Sequence, residues 1–176
     1  KENAVTQGHR TRREEYAALT RQALIKSGSE RFSTFGYSDT SIAQIADDAR
    51  VSKGAFYHHF EDKSSLLKAV LSEACDSAAR KIEYAFENQV DSDSLVSGAL
   101  DSAMESIQVD SRYRNLRQQA VGVLSAGERR ELDNRVRVPL VSKIFSLLEA
   151  QGKIGDDVSV NAATVLVVAM LEATLD

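Results

Sequence analysis

Lys53, Gly54, Ala55, Tyr57 and His58 stand in one short run that opens on Ser52 and follows Arg50. Together these residue types hold an anionic surface by charge and hydrogen bond while leaving the backbone nearly bare. Lys53 suits a phosphate oxygen or a guanine edge. Gly54 and Ala55 carry almost no side chain, so a helix bearing them can seat deeply in a groove ~12 Å wide. At Ala55 any readout is apolar, such as contact with a thymine methyl. Tyr57 and His58 reach towards the backbone and neighbouring bases. Upstream, Thr40 and Ser41 offer hydroxyl or N–H groups to phosphate, and downstream Lys63 offers a second ammonium. The candidate DNA-binding set is therefore Thr40, Ser41, Arg50, Ser52, Lys53, Gly54, Ala55, Tyr57, His58 and Lys63.

Short helices joined by a tight turn are needed to present such a set. Thr40 is expected to cap a helix from Ser41 to about Asp48, with Ile42, Ile45, Ala46 and Ala49 facing inward. Ser52 is expected to cap a helix from Lys53 to about His59, and Phe56 and Phe60, four apart, anchor it on the core. Each buried ring contributes ~1.5–3 kcal/mol. Ahead of them, Thr11 to Phe35 reads as one long helix with Tyr16, Leu19, Ala23, Leu24, Phe32 and Phe35 on its apolar stripe. Gly36 ends it, and Gly28 inside it costs ~1 kcal/mol. Asp62 caps a further helix from Lys63 to about Asn88.

From Asp91 onward the pattern predicts helices over roughly 92–108, 111–124, 127–151 and 157–176. Gly127, Gly152 and Gly155 mark the breaks. Asp156 and Asp157 suit the start of the last helix, since acidic groups favour the positive end of its dipole. Pro139 is expected to kink or break the third of these helices. There is no strand alternation and no internal repeat. The fold class is all-α.

Charge divides unevenly along the chain. Residues 1–70 carry 11 Lys or Arg against 9 Asp or Glu, whereas residues 71–176 carry 11 against 17, within an overall net charge of −4. A mildly basic head on an acidic body suits a head for DNA and a body for something else. Arg10, Arg12 and Arg13 are either an arm that reaches a groove or a solvated terminus. The lone Cys75 excludes an internal disulfide and fits a reducing compartment, so a cytoplasmic location is expected. The apolar run from Ala162 to Leu171 is shorter than the ~18 residues a membrane span requires. The chain opens on Lys1 without an initiating methionine, so a trimmed or disordered N-terminus is expected.

Enzyme chemistry finds no foothold in the sequence. There is no Cys/His nucleophile pair, no glycine-rich phosphate loop and no Gly-x-Ser-x-Gly. His58 and His59 are adjacent and point ~100° apart on a helix, so they do not converge on a metal. No cofactor is expected.

The segments Gly36-Tyr37, Thr40–Ala46, Val51–Phe60, Lys63 and Leu66-Leu67 resemble the head of the TetR family of transcriptional regulators. The resemblance covers roughly residues 13–71 and is most specific from Ala49 to Phe60. It implies a helix-turn-helix DNA-binding domain over 11–71 and a helical effector-binding and dimerisation domain over 72–176. It also implies a homodimer on a palindromic operator, most simply a repressor released when a small molecule enters the body and moves the bridging helix 63–88. The alternative is control by a protein partner without an effector. Met104, Leu116, Phe145 and Met170 are candidates for an apolar pocket wall or for plain core. Arg117, in a cluster with Arg112 and Arg114, either holds an acidic ligand or pairs with nearby acids. Two positions depart from the family pattern. Arg50 stands where glycine is usual, and Ala55 where threonine is frequent. The family usually closes with two long helices; only one, about 157–176, is visible here.

Overall fold

The computed structural model describes residues 11–87, 111–155 and 157–173. Among them are seven helices and no strand: α1 (Arg12–Phe35), α2 (Ile42–Asp48), α3 (Lys53–His59), α4 (Lys63–Glu87), α5 (Ser111–Ala120), α6 (Ala126–Ala150) and α7 (Val160–Ala173). The expected helix at 92–108, and Met104 with it, lie outside the described residues. The chain divides into two compact units, Lys1–Val70 and Leu71–Asp176.

In the first unit, local chemistry sets both ends of α1. The Thr11 hydroxyl accepts from the Glu14 N–H at 3.3 Å, and the Glu14 carboxylate accepts from the Thr11 N–H at 2.9 Å. This reciprocal pair satisfies two donors that a helix start leaves orphaned. Gly36, at φ +87°, stops the helix. The buried stripe runs through Leu24, Ile25, Ser27, Gly28 and Phe32. Tyr16, Leu19 and Phe35, which periodicity puts on the same stripe, are 71%, 61% and 59% exposed. The stripe is therefore narrower than expected.

Gly28 is more than a tolerated cost. A methyl placed there would lie 2.8 Å from Leu66 Cδ2, and Leu66 is fully buried. The missing side chain is what lets α4 approach α1 so closely. Ser27 donates its hydroxyl to the Ile45 carbonyl at 2.9 Å and so ties α1 to α2. Arg31 grips Asp48 with two bonds, Nε to Oδ2 at 2.5 Å and Nη2 to Oδ1 at 3.1 Å. The core these ties enclose is Leu24, Phe32, Ile45, Phe56, Leu66 and Leu67, each fully buried.

In the second unit, Leu71, Cys75, Ala78, Ile82 and Phe86 of α4 are buried, as are Tyr113, Leu116 and Ala120 of α5. Asp133 on α6 accepts both Arg117 bonds, each 2.8 Å, and a third from Arg137 at 3.0 Å. Burial pushes the nearby Cys75 thiol up to about 12, which makes it an inert packing residue. α6 begins one residue early, where the Ser125 hydroxyl and Glu128 form a capping box, and it runs unbroken through Pro139. Pro139 is exposed, so water can reach the carbonyl that its missing N–H leaves without a donor. The start of α7 also differs from expectation. Ser159 caps it, accepting from the Ala162 N–H at 3.3 Å, and Asp157 lies outside the helix. A hydroxyl one residue before the helix satisfies an N–H directly, and this outweighs a more distant charge. No helix among the described residues is long and apolar enough to cross a membrane.

Candidate nucleic-acid interface

The turn between α2 and α3 is closed by its own backbone. Val51 N–H donates to the Ala46 carbonyl at 2.9 Å, and Arg50 N–H donates to that of Asp47 at 3.0 Å. This pair of bonds is the Schellman motif, which requires a left-handed residue at its centre. Arg50 is that residue, at φ +56°. Its side chain costs ~1 kcal/mol relative to glycine in this conformation. Arg50→Gly should therefore raise the denaturation midpoint of the head, by about 0.5–1 kcal/mol after the looser unfolded chain is counted. The same change should remove a cation from the exposed end of the turn. An unchanged or lower midpoint would show that Arg50 relieves the strain by other contacts.

Ser52 follows the turn and caps α3, its hydroxyl accepting from the Ala55 N–H at 3.1 Å. Phe56 is fully buried, and its ring sits 5.7 Å from that of Phe60. Anchoring that face turns Lys53, Gly54, Tyr57 and His58 outward, and all four are exposed. Tyr57 is 51% exposed; its ring stands edge-on to Phe56, with the Lys53 ammonium 6.0 Å from the ring centroid. His59 turns partly inward. Burial, then the neighbouring His58 and Arg21, hold its imidazole below the ordinary histidine range. A methyl on Gly54 would meet only the Ser52 hydroxyl, at 3.7 Å. Nothing within the protein calls for so small a residue there.

At α2 the assignments of two neighbours are exchanged. Ser41, not Thr40, is the cap: its hydroxyl accepts from the Gln44 N–H at 3.2 Å, and Gln44 Oε1 accepts from the Ser41 N–H at 2.9 Å. Thr40 is 1% exposed, and its hydroxyl donates to the Gly36 carbonyl at 2.8 Å. Its side chain is thus used inside the head, and the hydroxyl expected at a phosphate is not on the surface.

Lys63 also departs from expectation. Its ammonium donates to the carbonyls of Tyr37 at 2.6 Å and Thr40 at 2.7 Å, and lies 4.2 Å from the centroid of the Tyr37 ring. Two of its three hydrogens are spent on the segment before α2. Burial holds its pKa below the ordinary lysine value, and Asp39 works against that shift. Burial, and then the charge of Asp62, push the Tyr37 phenol up. Tyr37 belongs to the same stretch of sequence, yet nothing in its residue type marks it as the seat of a lysine. Asp62 caps α4, its carboxylate accepting from the Ser65 N–H at 2.7 Å. That bond, followed by one from the Ser64 hydroxyl, keeps it below the usual carboxylate range.

Five of the ten expected positions border one shallow hollow of about 460 Å³: Thr40, Ser41, Lys53, Tyr57 and Lys63. Ser38, Asp39, Ile42 and Ala43 border it too and were not expected. Arg50, Ser52, Gly54, Ala55 and His58 lie outside it, on the turn and the α3 helix. Among the described residues no group of three His, Cys, Asp or Glu could hold a metal.

Residues 24–70 match the family described as bacterial regulatory proteins, tetR family. The chain carries a TetR-family head. It is 32% identical over 108 residues to the HTH-type transcriptional regulator TtgR of Pseudomonas putida, covering 60% of this chain and 50% of that protein. The chain spans a quarter to a half of the length of the curated relatives it matches. In fold it resembles a TetR-family transcriptional regulator from Pectobacterium atrosepticum, with a TM-score of 0.70 and 24% identity over 93% of this chain and 82% of that one. RolR in complex with resorcinol is also similar, with a TM-score of 0.65 and 21% identity over 90% of this chain and 78% of that one. The all-α architecture of head and helical body is thus the TetR-family one.

The pocket residues expected in the body differ in their settings. Leu116 is fully buried core, Arg117 is engaged by Asp133, and Met170 is 61% exposed. Phe145 is half-buried and is not among the residues that border the cleft between α4 and α6. That cleft, of about 420 Å³, is bordered by Arg80, Ile82, Glu83, Phe86, Pro139 and Lys143, among others. Lys143 is one turn along from Pro139 on α6, and the other four lie on α4. Only the packing of two helices distant in sequence brings them together.

Proposed function

We propose that this protein regulates transcription by binding duplex DNA through its TetR-family head, and that a small molecule held in the body releases it. One observation carries the DNA reading. Anchored by buried Phe56, α3 exposes Lys53, Gly54, Tyr57 and His58 together, with Ser41 and the hollow beside them. In this reading Gly54 and Ala55 seat α3 in the major groove, and Lys53 meets a phosphate or a guanine edge. Tyr57, Ser41 and Ser52 hold the sugar–phosphate backbone on either side, and Arg50 adds charge at the turn. Thr40 and Lys63 act as positioning residues, since their polar groups are committed within the head.

The body reading draws on similar proteins. RolR was solved with resorcinol and the FadR regulator of Bacillus subtilis with stearoyl-CoA, both on this fold. A small molecule weakens DNA binding only as far as it prefers the state unfit for DNA, typically 5- to 150-fold, or ~1–3 kcal/mol. Pairing of two copies draws on α7. Val165, Leu166 and Met170 are each more than 60% exposed on that helix, an apolar face a second copy would cover.

Selection from a random duplex library tests the whole reading. The expected product is a palindrome with half-sites ~34–36 Å apart or slightly more, one for each copy of a two-fold dimer. Enrichment of no sequence, or of an asymmetric one, would contradict it. Gly54→Leu tests the depth of seating. Because nothing in the protein crowds Gly54, the head should be as stable as before or firmer by about 0.5–1 kcal/mol, while duplex binding falls. Binding that survives the change would place another surface on the DNA.

A further inference from the structure

The body cleft carries a charge pattern that specifies its ligand, an inference that rests on the proposal that a small molecule acts on the body. Its floor is apolar: Ile82 and Phe86 are 2% and 4% exposed, with Ala79 and Pro139 beside them. Its rim is charged. Asp76 is already matched, because Arg135 Nη2 lies 2.9 Å from its carboxylate. Arg80 and Lys143 have no ion pair or hydrogen bond among the described residues, and neither has Glu83. The cleft thus presents two uncommitted cations against one uncommitted acid, within a region, residues 71–176, that holds 11 Lys or Arg against 17 Asp or Glu. A positive surplus around an apolar floor, in an otherwise acidic body, suits a ligand with the opposite pattern. Glu83 on the same rim penalises a second negative charge, which favours a singly charged head.

We propose that this cleft binds a monoanionic amphipath, a carboxylate on a short hydrocarbon body, with Arg80 and Lys143 holding the carboxylate and Ile82 and Phe86 supporting the chain. An arginine fork matches a carboxylate in two bonds, and Lys143 adds a point charge from the facing helix.

Calorimetric titration of the full chain with octanoate, octan-1-ol, octylamine and octyl phosphate tests this. Octanoate should bind about tenfold or more tighter than octan-1-ol, and octylamine should bind weakest. R80Q/K143Q should erase the preference for octanoate while keeping octan-1-ol binding and the helical circular dichroism of the parent. Octanoate no tighter than octan-1-ol, no binding by any of the four, or a preference that survives R80Q/K143Q would overturn the assignment. Octyl phosphate binding tighter than octanoate would overturn the single charge. Duplex binding is followed in the same titrations. Octanoate that binds with its preference but leaves the protein on DNA upholds the cleft and removes the switch. Release by another molecule that octanoate fails to displace upholds the switch and removes this cleft.

Discussion

Replacing Lys53 and Tyr57 together with alanine lowers affinity for every duplex sequence by about tenfold or more at physiological salt, and it flattens the dependence on salt. The size follows from what is lost. Each lysine at a phosphate releases about one counterion, so the slope of log affinity against log salt falls by ~0.9 per copy and by ~1.8 for a symmetric pair. Tyr57 adds its exposed ring and hydroxyl on the same helix. Neither side chain is buried, so thermal unfolding of the double variant should match that of the parent. Fluorescence anisotropy across a salt series measures the slope directly. A slope that does not move would take both residues off the DNA backbone.

Phe56→Ala should act on stability instead, and strongly. The ring is fully buried beneath α3, 5.7 Å from Phe60 and 5.5 Å from Tyr57. Emptying such a site costs about 3–5 kcal/mol, from the lost transfer of the ring and the cavity left behind. Domains of this size hold only about 5–15 kcal/mol in total, and a unit of some seventy residues is at the low end. The variant should lose most of its head in denaturant titrations, and DNA binding should fail with it. A cost under about 1 kcal/mol would mean that α3 is held by something other than Phe56. The two substitutions separate the roles of one helix, its outer face for recognition and its inner face for anchorage.

What could be read from the residues alone follows the range of the forces involved. Ser52 with Ala55 and Asp62 with Ser65 are caps within three residues of one another, so their spacing states them. Arg50 stands out in the sequence only through the resemblance, as the residue where glycine is usual; its left-handed backbone is a finding of the structure. Thr40 and Ser41 show where that reading ends. Both are good caps by type, and only the burial of Thr40 against Gly36 decides between them. Lys63 reaches carbonyls 26 and 23 residues away, and no local pattern announces them. The close approach at Gly28 and the Arg31–Asp48 grip are likewise products of packing. In the body, helix periodicity found the helices but not their neighbours. Met170, open from the sequence to either pocket wall or core, lies exposed, and nothing local announces the cleft between α4 and α6.

The seating of α3 against DNA can be observed without relying on affinity at all. A photoreactive phenylalanine placed at Tyr57, and in a separate protein at the buried Tyr113 as control, is irradiated on a selected duplex. Crosslinking to bases of the major groove from position 57, suppressed by unlabelled duplex and absent from position 113, is the predicted result. Bound DNA that crosslinks no better from position 57 than from position 113 would contradict the account.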